Sequence, residues 1–187
     1  RSVTIFRPPD ATNPNIENQL WPKLISNRRD KVLTRILNDI FKMDAEGFLP
    51  LPNSQLQILF PSYSISIDLQ GDGTRAAFRC WMMLAALPST LFILEEPECH
   101  QHPGSLGRFA QALCKQAKEQ QVQLLISTHS TECVRAFLTG AKQAGAESAV
   151  FHLKLENGRL DAKRLDADTV GTLEATGVDV RSLDLYA

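Results

Sequence analysis

No Cys-x-x-Cys pair occurs in the sequence, although it holds four cysteines, Cys80, Cys99, Cys114 and Cys133. Their wide spacing excludes the usual paired-cysteine metal and redox motifs and fits reduced thiols in a cytoplasmic protein. Neither sign of charge dominates: 20 Lys plus Arg stand against 21 Asp plus Glu. That balance excludes a global pull toward nucleic acid or anionic membrane. No secretory signal opens the chain, and its first residue is Arg1 rather than Met, so a preceding segment is expected. The most apolar window, Ala76 to Leu94, is interrupted by Arg79 and Pro88 and closed by Glu95 and Glu96. It reads as a helix followed by a core strand, not as a membrane span. None of the ten glycines is followed by lysine, so the Gly-x-x-x-x-Gly-Lys phosphate loop is absent from this chain. What is present is ordinary: 187 residues, 43% apolar and 22% charged, enough for one sizeable core.

The chemistry concentrates between Leu91 and Pro103, read LFILEEPECHQHP. Four apolar residues run into Glu95 and Glu96, and Pro97 stops the strand. A short unbroken apolar run predicts a strand buried on both faces, as inside a parallel sheet. Acids at its carboxyl end would face the crevice where open α/β sheets bind ligands. One of them can hold Mg²⁺ and the other can take a proton from water. The bland alternative is a strand that meets solvent with two charged residues.

Two further polar clusters frame that strand. Gly71-Asp72-Gly73-Thr74-Arg75 precedes an apolar helix expected over Ala76 to Leu87. A helix start behind glycines offers unpaired N–H groups to an anion, or is simply a capped turn. A second apolar run, Leu124-Leu125-Ile126, ends in Ser127-Thr128-His129-Ser130. The period-3 and period-4 apolar stripe Val32, Leu33, Ile36, Leu37, Ile40, Phe41 predicts an amphipathic helix, preceded by a helix that Asn15 would cap. Core packing is the expected role of the stripe. Arg28, Arg29, Lys31 and Arg35 beside it form a basic patch, read as a solvated face with DNA contact as the alternative. Gly47 to Ser54 reads as a turn-rich connection. Leu56 to Ile58 and Ile65 to Leu69 alternate as strands of a hairpin around Pro61-Ser62, and Asn157-Gly158 marks another hairpin. Asp168 is expected to begin the last helix, with the Asp166/Asp168 pair acting in capping.

The order G-D-G-T-R, then E-E-P-E-x-H-x-H-P, then T-H-S resembles the second half of an ABC-type ATPase domain of the SMC-like and OLD-like (overcoming lysogenization defect) group. The resemblance implies an α/β fold: a partial P-loop NTPase domain whose parallel core strands are flanked by helices. A helical arm and β-hairpin subdomain would occupy residues 1–70 and the ATPase part residues 71–187. It implies ATP and Mg²⁺ as cofactors, Glu95 toward Mg²⁺, Glu96 as base or water-positioner, and His129 as the switch histidine that senses the γ-phosphate. Gly71, Asp72, Gly73, Thr74 and Arg75 would be the signature loop acting across a homodimer closed around ATP. His100 and His102 would lie in the loop near the dimer seam. A zinc site built from Cys99, His100 and His102 lacks the fourth ligand that structural sites use. The loop departs from the transporter pattern, since no serine precedes the second glycine. The missing phosphate loop and its strands would belong to an N-terminal half, in the same or another polypeptide. A partner from DNA repair or phage defence is implied no more closely than that, and no membrane partner is expected. The alternative is a non-catalytic module that docks a partner through Arg28 to Phe41.

Overall fold

The computed structural model describes residues 2–51, 55–87 and 90–185. At its centre lies a three-stranded parallel sheet, ordered β1 (Val3–Phe6), β5 (Leu91–Glu95), β6 (Gln123–Ser127). Ile5 pairs with Ile93 and Ile93 with Leu125, while Glu95 stands opposite Ser127. The two apolar runs on either side of the acids are therefore adjacent parallel strands, as their pattern predicts.

Strand alternation divides this sheet into two unlike faces. Phe6, Phe92 and Leu94 are buried beneath α3 (Asp72–Ala86) and α4 (Pro103–Glu119). On the other face Val3, Ile5 and Leu125 are 54%, 48% and 52% exposed. The expectation that β5 is buried on both faces is thus corrected: Leu91 and Ile93, on the open side, are only half-buried.

The N-terminal part packs into the same core. α1 (Asn15–Ser26) and α2 (Asp30–Phe41) are separated by a bend at Arg28, whose φ is 55°. Leu33, Ile36, Leu37 and Ile40 of α2 are buried, so the amphipathic stripe is core packing. Asn15 is not the cap of α1; Pro14 holds that position, and the Asn13 side chain accepts from the Asn15 N–H at 3.1 Å.

β2 (Gly47–Pro50), β3 (Leu56–Leu59) and β4 (Ser64–Ser66) form an antiparallel sheet. The turn expected from Gly47 to Ser54 is replaced at its start by β2, because Phe48 packs between Trp21 and Phe78 with ring centroids 5.4 and 5.0 Å apart. Residues 52–54 of that expected turn, and Pro88, lie outside the described residues. Ile67–Leu69 is a 3₁₀ turn, not strand. The Ser66 hydroxyl accepts from the Asp68 N–H at 3.3 Å, a local bond that competes with the ladder.

α5 (Thr131–Gln143) packs along α4. The hairpin β7 (Ala149–Glu156) and β8 (Arg159–Asp166) turns at Asn157 and Gly158, both with positive φ. α6 (Ala167–Ala175) starts one residue earlier than expected, capped by Asp166, whose carboxylate accepts from the Thr169 N–H at 2.7 Å. Leu165, Val170, Val180 and Leu183 make a small second core there. Among the described residues no helix is long and apolar enough to cross a membrane.

Candidate functional site

β5 delivers Glu95 to the carboxyl edge of the sheet, exposed. The chain then turns sharply: Glu96 has φ 44° and ψ 54°, the left-handed region. For a residue with a side chain that conformation costs about 1–2 kcal/mol. It is held by the Glu96 N–H, which donates to the Ser127 carbonyl at 2.9 Å, and by the Cys99 N–H, which donates to the Glu96 carbonyl at 3.0 Å. The turn aims Glu96 across the end of β6. Its Oε1 lies 3.7 Å from His129 Nε2, and its Oε2 accepts from the Cys99 thiol at 3.1 Å. The His129 side chain is 94% exposed, so both groups can meet a ligand arriving from solvent.

Behind this pair sits a cluster that sequence reading did not find. The Thr128 hydroxyl donates to Glu98 Oε1, and Thr128 Oγ1 accepts from the Ser130 N–H at 2.9 Å. Ser130 caps α5 by accepting from the Cys133 N–H at 3.2 Å. Glu98 Oε2 is buried and has no hydrogen-bond partner among the described residues. Burial, and after it the charge of Glu98, pushes the Cys133 thiol up to about 12. Partial burial pushes the Cys99 thiol up to about 11, helped by its bond to Glu96 and the charges of Glu96 and Glu98. The signal available in the sequence was the third acid of E-E-P-E, one turn beyond the pair.

The G-D-G-T-R loop forms a second group. The helix begins at Asp72, with Gly71 as its cap, rather than at Ala76. Gly73, Thr74 and Arg75 therefore belong to its first turn. An acid at the first position favours this start, and Arg75 pairs back onto Asp72. That bond and charge hold the Asp72 carboxyl below its ordinary value. Gly73 has no room for a side chain, since a Cβ there would sit 2.6 Å from the His100 carbonyl oxygen. The Gln101 amide donates to the Gly73 carbonyl at 3.0 Å and fastens the two loops together. His102 caps α4, its Nδ1 accepting from the Gly104 N–H at 3.0 Å, so Nε2 carries any proton of the neutral ring. Phe41, Gly71, Thr74, His100, His102 and Arg108 line a cleft of about 440 Å³ in this region. The ten sequence-predicted site residues thus fall into two groups, Glu95/Glu96/His129 and Gly71–Arg75/His100/His102, joined by the turn that runs from Pro97 to His102.

The donors at the first group are carboxylate oxygens, the hard ligands that Mg²⁺ takes together with phosphate and water. Glu95, exposed at the open sheet edge, could supply one such oxygen.

Comparison with known proteins gives the family and the fold. The family model described as "AAA domain, putative AbiEii toxin, Type IV TA system" matches residues 23–135, more than half of the chain. The uncharacterized protein MJECL11 of Methanocaldococcus jannaschii is 26% identical over 112 residues, covering 59% of this chain and 98% of that protein. Among solved structures, one from a study of ATP-driven dimerization and DNA-stimulated activation of SMC ATPases superposes with a TM-score of 0.53. It is 14% identical, and the match covers 84% of this chain and 98% of that one. The SMC head domain from Thermotoga maritima superposes with a TM-score of 0.57 at 16% identity, covering 87% of this chain. The present chain spans about half of that head domain, 54%. The mixed α/β fold, with its parallel strands flanked by helices, is that of SMC ATPase heads.

Proposed function

Because the chain belongs to the AAA-domain family matched over residues 23–135, we propose that it is the catalytic-carboxylate portion of an SMC-like or OLD-like ATPase. The observation that carries this reading is the 3.7 Å approach of His129 to Glu96 at the carboxyl edge of a parallel sheet. Glu96 takes or orients the proton of the attacking water, through the oxygen that faces His129. His129 donates from its ring to the γ-phosphate. Glu95 would hold Mg²⁺, which neutralises phosphate charge when bound. The loop Gly71–Arg75 acts on the nucleotide of a second subunit in a homodimer closed around ATP, with His100 and His102 beside the seam. Residues 71–187 carry the ATPase motifs, and residues 1–70 add the edge strand β1 and the helices and hairpin packed on the same core, the whole working in the cytoplasm on a repair or defence partner.

The phosphate loop comes from an N-terminal half. The open face of the sheet supports this, because parallel sheets are normally covered on both sides. Val3, Ile5 and Leu125 await such a layer. The chain alone should therefore release no phosphate from ATP. Restoring the preceding half should give turnover, and Glu96→Gln in the restored protein should keep ATP while losing a factor on the order of 10²–10⁴ in rate. Robust hydrolysis by the pure chain would overturn the missing-half reading. Unchanged turnover in the Gln variant would remove Glu96 from the chemistry.

A further inference from the structure

We propose that Glu98 and Thr128 are positioning residues that set the Glu96–His129 geometry, acting as one latch between the acid turn and the histidine loop. The proposal rests on the reading of Glu96 and His129 as the reacting pair, to which neither Glu98 nor Thr128 belongs.

The connection is short and directional. Glu98 lies two residues after Glu96, inside the Pro97–His100 turn, and Thr128 immediately precedes His129. The Thr128 hydroxyl donates a hydrogen bond to Glu98 Oε1, and its oxygen accepts one from the Ser130 N–H at 2.9 Å. One hydroxyl thereby bonds on both sides of His129. The backbone between the strands is already joined by the Glu96 N–H to the Ser127 carbonyl at 2.9 Å, so the latch is a second tie one step further out. Two ties at successive positions fix a rotation that a single hydrogen bond leaves free. The residue they hold, His129, has its own side chain 94% exposed, and its carbonyl accepts from Arg181 Nη1 at 3.4 Å on the outer side.

Glu98 is also committed to this role. Its second oxygen is buried with no hydrogen-bond partner among the described residues, and its first accepts from the Thr128 hydroxyl, with the Cys133 thiol also against both side chains. A carboxylate oxygen buried without a partner is costly, and it is tolerated where the surrounding structure over-determines it. Beneath it lies the buried Cys133, whose thiol meets both Thr128 and Glu98 and whose N–H donates to Ser130.

The test uses the chain as it is. It has four histidines, so its imidazole NMR signals can be assigned one by one. Glu96→Gln shows how far the His129 ring signals move when the facing carboxylate is lost. Thr128→Val, nearly isosteric but without the hydroxyl, should move them at least half as far. Thr128→Ser, which keeps the hydroxyl, should leave them in place. Glu98→Ala should match Thr128→Val, and the double variant should move His129 no further than Glu98→Ala alone, because coupled partners are not additive. Far-ultraviolet circular dichroism and an unfolding midpoint close to wild type report that each variant is folded. In the restored ATPase, Thr128→Val should lower kcat about 10–100-fold with nucleotide affinity unchanged, as misplacement of a reacting group does. A folded Thr128→Val whose His129 signals coincide with wild type overturns the latch. So does a Glu96→Gln variant that leaves His129 unmoved, since there is then no contact to position. A restored wild-type protein that hydrolyses nothing would sink the ATPase reading alone, and the imidazole signals would still decide the latch.

Discussion

Arg79 and Glu96 are charged residues joined to one core, yet their surroundings are opposite. The Arg79 side chain is fully buried in α3 and bonded on three sides. It reaches Glu17 Oε1 at 2.7 Å, the Ala11 carbonyl at 2.6 Å and Asp68 Oδ1 at 2.6 Å. Three segments are thereby fixed to the helix that carries Gly71 to Arg75, including the 3₁₀ turn just ahead of Gly71. Glu96 and His129, by contrast, stand at an open edge and are held by ties behind them. Taking a charge out of water is expensive unless it is paired, so the Arg79 guanidinium is committed to its three acceptors, while Glu17 Oε2 stays buried with no hydrogen-bond partner among the described residues. The exposed pair contributes little to stability, and that leaves it free for chemistry.

The sharpest way to break this contrast is to remove each charge and compare stability. Arg79→Ala strands Glu17 and Asp68, the first of them almost wholly buried, and should cost about 3–5 kcal/mol in urea unfolding. Glu96→Ala should change the same measurement by less than about 1 kcal/mol. Equal losses would erase the distinction between the two clusters.

Gly73→Ala should fall between them. Its Cβ would meet the His100 carbonyl, a backbone atom that cannot swing aside, so the two loops must part by several tenths of an ångström. Forcing an extra methyl into such a contact costs about 1–3 kcal/mol. The same change should weaken ATP-driven dimerisation of the restored protein, followed by light scattering, while leaving nucleotide binding by the monomer mostly unchanged. Dimer formation equal to wild type would show that this loop does not face the second subunit.

Much of the exposed edge was legible in the sequence because its information is local. An apolar run followed by acids marks a strand end, and two such runs with polar tips predict adjacent parallel strands. The His129–Glu96 approach follows from that pairing. The buried network was not legible, because Arg79 meets its partners across 62, 68 and 11 positions of sequence, and nothing in the local pattern announces them. Helix starts failed for a related reason. Asp72 begins α3 because Gly73 must approach the His100 backbone and Arg75 pairs with Asp72, while the apolar pattern alone points to Ala76. The left-handed Glu96 was invisible too: a residue with a side chain gives no sign of positive φ, and Pro97 marked only the end of the strand.

The smallest expected effect refines the exposed half of the contrast. Cys99 is on the surface, yet its thiol is pushed up to about 11, first by partial burial of the sulfur, then by its bond to Glu96 and by the charges of Glu96 and Glu98. The thiolate is the reactive form, so a raised value slows alkylation at pH 8–9, where an ordinary thiol is already partly ionised. Glu96→Gln removes one negative charge, though its amide can still accept a weaker bond. Burial and Glu98 remain, so the value should fall while staying above the ordinary one. At pH 9 the rate of iodoacetamide modification of Cys99 should rise about two- to fivefold in that variant, since the rate follows the thiolate fraction. Cys80, Cys114 and Cys133 are buried and serve as internal controls read by mass spectrometry. An unchanged Cys99 rate, with controls equally slow, would mean that Glu96 does not rest against the thiol. Its carboxylate would then be oriented by His129 alone, and the exposed edge would be looser than the structure draws it.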